Sequence, residues 1–241
     1  DITRQLQQMI LPKEHELKRI EGLQISGYME PADEVGGDYY DVLNHNGSVK
    51  IGIGDVTGHG LESGVLMLMV QTAVRTLMTH NETNPTRFLD TLNRTIFNNT
   101  QRMQSKKNLT LSLLDYQQGR LRVSGQHEEI LVVRAGGQIE RIDTFDLGFP
   151  IGVVEDIAEF VTQMEITLEP GDGVVLYTDG ITEAESGGKQ LYGLERLCQV
   201  ISQSWDQSAD GVRQAIVQDI RQHIGDHKVY DDITLVVLKQ T

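Results

Sequence analysis

Gly36-Gly37-Asp38-Tyr39-Tyr40-Asp41-Val42-Leu43-Asn44-His45-Asn46-Gly47-Ser48-Val49-Lys50-Ile51-Gly52-Ile53-Gly54-Asp55 decides the fold. Residues 38–43 and 49–55 are short runs of strand-forming side chains. The Asn-His-Asn-Gly segment between them is a turn signal, so the stretch predicts a pair of strands joined by a turn. Aspartate sits beside glycine at both ends of it.

Moving outward, the period changes. From 61 to 80 apolar side chains recur with helical spacing at Leu61, Val65, Leu68, Met69, Thr72, Ala73, Thr76 and Leu77, which predicts a long helix burying that face. A second helix follows Pro85, a residue suited to a first helical turn, carries Phe88, Leu92 and Ile96, and ends near Met103. Residues 109–142 return to strand-like runs separated by Gln-Gly and Gly-Gly turns and read as an antiparallel meander. Further strands are expected at 23–29, 160–168, 174–178 and 233–238, and helices at 193–204 and 208–224. Residues 3–10 read as the end of an amphipathic helix stopped by Pro12. Strands in runs and helices in pairs predict antiparallel sheets with helices layered outside, an α+β class, and not alternating βαβ units. With no repeat or long linker, 13–241 reads as one domain. Residues 1–12 read as the end of a linker helix from an upstream domain, in keeping with a chain that starts at Asp1.

Bulk properties narrow the function. The 241 residues include 39% hydrophobic and 23% charged side chains, enough for a sizeable core. The formal charge of −14 argues against nucleic-acid binding. No apolar run is long enough to span a bilayer. The single cysteine, Cys198, excludes an internal disulfide, no Cys/His zinc spacing is present, and a cytoplasmic setting fits best.

Four acidic motifs punctuate the chain: Gly36-Gly37-Asp38-Tyr39-Tyr40-Asp41, Gly54-Asp55-Val56-Thr57-Gly58-His59-Gly60, Tyr177-Thr178-Asp179-Gly180 and Tyr230-Asp231-Asp232-Ile233-Thr234. Any one Asp-Gly is an ordinary turn. Four beside apolar strand-like runs, with no Lys or Arg interleaved, need a compensating charge, and an all-oxygen set favours Mg²⁺, Mn²⁺ or Ca²⁺ over zinc. Gly58-His59-Gly60 leads into the long helix, where His59 is either a ligand-orienting or a turn residue. His127, in Ser124-Gly125-Gln126-His127-Glu128-Glu129, is assigned to a surface hairpin.

In this order and spacing the motifs, together with Leu11-Pro12, Leu168-Glu169-Pro170-Gly171-Asp172 and Tyr192-Gly193, resemble the PPM (protein phosphatase 2C-like) family, in its bacterial SpoIIE/RsbU-like branch. The resemblance covers nearly the whole chain. It implies an αββα sandwich, two packed antiparallel β-sheets flanked by helices, and a serine/threonine phosphatase with two Mn²⁺ or Mg²⁺ ions and an optional weaker third. It also implies metal ligation by Asp38, Asp55 (bridging), the backbone carbonyl of Val56, Asp179 and Asp231, with Asp232 as the alternative to Asp231. The reaction implied is attack of metal-activated water on the phosphomonoester, without a phosphoenzyme. The partners implied are a phosphorylated protein, in this branch usually a STAS-type anti-sigma-factor antagonist, and an upstream sensor domain; a homodimer stays open. Two departures stand out. Ser124-Gly125-Gln126-His127 replaces a common Asn-Ala-Gly-His, and the approach to Asp38 carries no phosphate-gripping arginine. The competing readings are a catalytically weak regulatory binding module of the same fold and another kind of two-metal enzyme. The second lacks support because no Gly-x-x-x-x-Gly-Lys phosphate loop is present.

Overall fold

The computed structural model describes residues 9–32, 36–45 and 47–241. Most of the linker helix read at 3–10 therefore lies outside the described residues, as do Val35 and Asn46.

The chain divides into two compact units. One comprises Asp1–Leu11, Glu34–His127 and Asp143–Ile166; the other comprises Pro12–Asp33, Glu128–Ile142 and Thr167–Thr241. In the first unit β2 (Asp38–His45), β3 (Ser48–Val56), β4 (Leu109–Gln117), β5 (Arg120–Gln126) and β8 (Met164–Thr167) form a sheet in the order β2-β3-β4-β5-β8, and helices α2 (Leu61–Thr79) and α3 (Pro85–Met103) complete it. In the second, β1 (Leu23–Glu30), β6 (Ile130–Val133), β7 (Ile139–Ile142), β9 (Gly173–Tyr177) and β10 (Ile233–Gln240) order as β1-β10-β9-β6-β7. This unit carries α1 (Glu14–Leu17), α4 (Asp179–Thr182), α5 (Leu194–Ser204) and α6 (Ala209–Ile224). The fold class is α+β, with two antiparallel five-stranded sheets flanked by helices, as expected.

Each unit has its own core. Strand alternation sends Tyr39, Leu43, Val56, Leu111 and Leu113 to the helix side of the first sheet, where they pack against Met67, Val70 and Val74 of α2 and Leu92 and Ile96 of α3. In the second unit Val175, Tyr177, Leu235 and Val237 pack against Leu197 and Ile201 of α5 and Ile216 and Ile220 of α6. Complete burial of one such aliphatic side chain stabilises by about 2 kcal/mol. Local signals start the helices. Asn84 accepts from the Arg87 N–H at 2.9 Å with Pro85 in the first turn, and Ser208 caps α6 through the Gly211 N–H.

Three expectations are corrected. The stripe chosen on the long helix is not its core face. The buried residues of α2 are Leu66, Met67, Val70, Val74 and Met78, with Ser63, Gly64 and Gln71. The helix is apolar on two sides, and Val65, Leu68, Met69, Ala73 and Leu77 line an open groove beside Thr91, Thr95 and Asn99 of α3. Nor is 109–142 one meander. β4 and β5 pair with each other, but β6 joins β9 in the other sheet, and the unit boundary falls between His127 and Glu128. Turn residues announce a reversal without saying which strand is paired next. The strand expected at 160–168 is shorter, since Ala158–Phe160 is a 3₁₀ turn and pairing begins at Met164. Among the described residues no helix is long and apolar enough to cross a membrane.

Candidate metal centre

The first unit contributes one pair of acids. The β2–β3 register sets Asp38 directly opposite Asp55, and the ladder continues Tyr39↔Gly54, Tyr40↔Ile53 and Asp41↔Gly52. Alternation then points Asp38 and Asp55 to the same face, away from the helices. Cβ atoms of such partners lie about 5 Å apart. Asp38 is 1% exposed, and Asp55 is half-buried.

Glycine shapes the space beside this pair. A Cβ on Gly37 would stand 2.6 Å from the Val56 carbonyl oxygen, 3.0 Å from that of Gly58 and 3.3 Å from Asp55 Oδ1. Three oxygens thus close on a spot that only glycine leaves open. The Val56 N–H donates to the Gly37 carbonyl at 3.2 Å and fixes the two motifs to each other. The loop beyond is held by Lys107, whose ammonium donates to the Thr57 carbonyl at 2.8 Å, and by Ser63, whose hydroxyl donates to the Gly58 carbonyl at 2.8 Å. Gly58 and Gly60 both have positive φ, +70° and +96°. His59 is exposed in this loop.

Asp41 belongs elsewhere. Its carboxylate is buried on the helix side, 3.4 Å from Gln71 Nε2 and 3.7 Å from the Arg75 guanidinium. It ties α2 to β2.

The second unit contributes the other pair. β9 ends at Tyr177, Thr178 is buried, and Asp179 opens the short α4. The start of β10 runs so close that a Cβ on Gly180 would fall 1.9 Å from the Asp232 carbonyl oxygen. The Thr178 N–H donates to the Thr234 carbonyl at 3.1 Å, and the Thr234 N–H donates to the Thr178 hydroxyl at 3.2 Å. These bonds bring Asp179 and Asp231 together. Burial, and then the charges of Asp231 and Glu183, push the Asp179 carboxyl above its ordinary range. The neighbouring acids of the Asp-Asp step differ. Asp232 is 3% exposed and accepts from the Ala32 N–H at 2.8 Å, while Asp231 is exposed and accepts from the Asp232 N–H at 2.8 Å.

Two acids of this group escaped the sequence reading. Glu128 is raised by burial and then by the charges of Asp179 and Glu183. Its signal was the Glu-Glu pair after His127, in a segment assigned to a surface hairpin. Glu183, one turn beyond Asp179, belongs to the same negative patch. His127 is also corrected. It is half-buried, with Nδ1 2.8 Å from the Thr110 hydroxyl and its backbone bonded both ways to Thr144. Thr110 is in turn the register partner of Asp55.

Within neither unit, among the described residues, do three or more His, Cys, Asp or Glu side chains close into a set able to hold an ion. Each unit instead presents a pair of acids, with carbonyl oxygens beside one of them. Such oxygen-only donor groups, carrying excess negative charge, fit a hard divalent cation. Cys198 lies apart on α5, and burial pushes its thiol up, which disfavours a nucleophilic thiolate.

Comparison with known proteins agrees with this fold. The SiaA-PP2C domain of Pseudomonas aeruginosa superimposes with a TM-score of 0.85 at 20% identity, covering 100% of this chain and 95% of that one. The catalytic domain of the serine/threonine phosphatase PstP, solved in complex with 2 manganese ions, follows at 0.63 and 15% identity, covering 90% and 97%. The fold is thus of the PP2C type. Residues 45–241 match the family model of stage II sporulation protein E (SpoIIE), and the chain belongs to that family. Phosphoserine phosphatase RsbU of Bacillus subtilis is 28% identical over 229 residues, 91% of this chain. The chain spans 40% and 64% of the lengths of two curated relatives that it matches.

Proposed function

We propose that this chain is a metal-dependent phosphoserine/phosphothreonine protein phosphatase, with 13–241 acting as one catalytic domain. The observation that carries the reading is the Asp38–Asp55 register pair, set on a buried strand face beside the Val56 carbonyl. Like charges so placed repel, and a divalent cation held between them would relieve that repulsion. The second pair, Asp179 and Asp231, also sets two like charges close enough to act on each other, and the family membership and the manganese ions of PstP support the same chemistry.

In this reading Asp38, Asp55, the Val56 carbonyl, Asp179 and Asp231 hold two Mn²⁺ or Mg²⁺ ions, with a weaker third as an option. Bound there, the ions would supply charge for the phosphoryl oxygens and acidify an attacking water. The protein supplies position. Gly37 and Gly180 let backbone oxygens approach, Thr178 locks the Asp179 turn to β10, and Lys107 and Ser63 hold the loop between Asp55 and α2. Rigidity of this kind lets the reacting groups be held without reorganisation at the moment of reaction. Asp231 is preferred to Asp232 because the Asp232 carboxylate is buried against the Ala32 N–H.

The substrate is read as a phosphorylated partner protein in a cytoplasmic signalling pathway. The narrower assignment, a STAS-type anti-sigma-factor antagonist with regulation from an upstream sensor domain, comes from the family resemblance. The test is hydrolysis of a phosphoserine peptide as Mn²⁺ is titrated, with calorimetry for the ions. Metal-dependent turnover that disappears in Asp179→Ala, with the fold retained by circular dichroism, is the expected result. Full activity in that variant would overturn the site.

A further inference from the structure

We propose that a cleft beside Asp231 is a subsite for an arginine or lysine side chain flanking the phosphorylated residue of the substrate. The proposal rests on the phosphatase reading and adds to it the chemistry by which a phosphoprotein is selected.

The cleft measures about 190 Å³ and lies wholly within the second unit, between the turn at 185–191, the end of α6 and the segment leading into β10. Its walls are built. Within the turn, the Ser186 N–H donates to the Gln190 carbonyl at 2.9 Å and the Lys189 N–H to the Ser186 carbonyl at 2.8 Å. Glu185 and Leu191 form a bridge at its base. From α6, His223 Nε2 lies 2.9 Å from the Gln190 carbonyl. The His227 ring turns its Nε2 edge to Gly187, where a Cβ would come within 2.1 Å of that atom. A site held in this way costs little further ordering when it is filled.

The lining selects the occupant. Leu191 and Tyr230 are 53% and 67% exposed, large apolar groups held in water at the rim. Glu183 and Glu185 supply two carboxylates beside Asp231, against the one cation of the lining, Lys228, so negative charge is in excess. A long aliphatic stem with a cationic head matches both parts. The stem covers Leu191, and the head meets the carboxylates and the Tyr230 ring. An acidic residue would meet like charge, and a short apolar one would leave the carboxylates without a partner. The cleft also reaches Asp231, so its occupant belongs to the few residues on either side of the phosphate.

The test uses the whole chain with Mn²⁺ and a set of phosphoserine peptides in which Arg, Ala or Glu is placed in turn at each of three positions on either side. At the position that fills the cleft, the Arg peptide should exceed the Ala peptide in kcat/KM by about fivefold through KM, the scale of one partly exposed charge pair. Glu185→Lys should reverse the order so that the Glu peptide leads, and Tyr230→Ala, a change at an exposed position, should shrink the preference. Peptides hydrolysed equally whatever their flanking charge, or a preference that survives Glu185→Lys, would overturn the subsite and leave the phosphatase reading standing. Failure to hydrolyse both p-nitrophenyl phosphate and every peptide would overturn the phosphatase reading and the subsite with it.

Discussion

Asp38 and Asp55 are register partners across the β2–β3 hairpin, so two carboxylates share one face of one sheet at adjacent positions. Directly opposed like charges destabilise a strand pair by up to about 1 kcal/mol. Asp38→Asn should therefore separate stability from function. Metal-free protein should melt at the same or a higher temperature, while Mn²⁺ affinity by calorimetry and phosphatase turnover should both collapse. A variant that loses stability in EDTA and keeps its metal affinity would show that the pair serves the fold.

Adjacent acids at the start of β10 should behave in opposite ways. Asp232 is buried and accepts from the Ala32 N–H, so Asp232→Ala should leave that donor unmatched and cost about 1–3 kcal/mol in urea denaturation. Asp231 is exposed beside Asp179, so Asp231→Ala should leave the urea midpoint almost unchanged and abolish Mn²⁺-dependent turnover. If the two phenotypes were exchanged, Asp232 would be the ligand.

Close backbone approach gives a third expectation. A methyl group on Gly180 would fall 1.9 Å from the Asp232 carbonyl oxygen, and Gly180→Ala should destabilise by about 3 kcal/mol, read as a lower melting temperature. At Gly37 the intruding methyl would meet the Val56 and Gly58 carbonyls and Asp55. Gly37→Ala should raise the Mn²⁺ concentration needed for half-maximal activity.

Acid should weaken the second unit through its paired carboxylates. The Arg196 guanidinium bonded to Asp219 holds that carboxyl below its ordinary range, against the opposing effect of burial and with help from the Tyr192 hydroxyl. At Asp172 burial pushes upward, but the Ala135 N–H, Arg134 and the Glu169 N–H outweigh it and the carboxyl again sits low. A depressed folded-state pKa contributes stability that is complete above the unfolded carboxylate value and is lost as pH falls through the folded one. The contribution of these two carboxylates to the denaturation free energy should thus be level from neutral pH to about 5 and decline below about 4. Asp219→Asn should lower the neutral value and flatten that decline.

Much of the architecture was legible because local chemistry specifies it. Pro85 opens α3, helices at 193–204 and 208–224 match α5 and α6, and runs of strand-forming side chains mark β2, β3 and β10 at nearly their observed bounds. Long-range choices were not legible. The apolar residues of α2 fall on two faces, and only packing against Tyr39, Leu111 and Leu113 selects Leu66, Met67, Val70 and Val74 for the core. The turns of 109–142 announce reversals, yet β6 pairs with β9 rather than with β5.

The candidate site divides along the same line. By itself the sequence singled out candidate acids, because aspartate beside glycine or at a strand end, in four motifs, is a residue-type pattern that needs no coordinates. Tertiary structure decided how they are set. It placed Asp38 opposite Asp55, turned Asp41 to α2 and Asp232 to Ala32, and brought Glu128 and Glu183 to Asp179. The reason is physical. Residue type fixes charge and local backbone preference, whereas register, strand face and burial arise only when distant segments pair, and those settle which carboxylates face one another and which accept from protein donors.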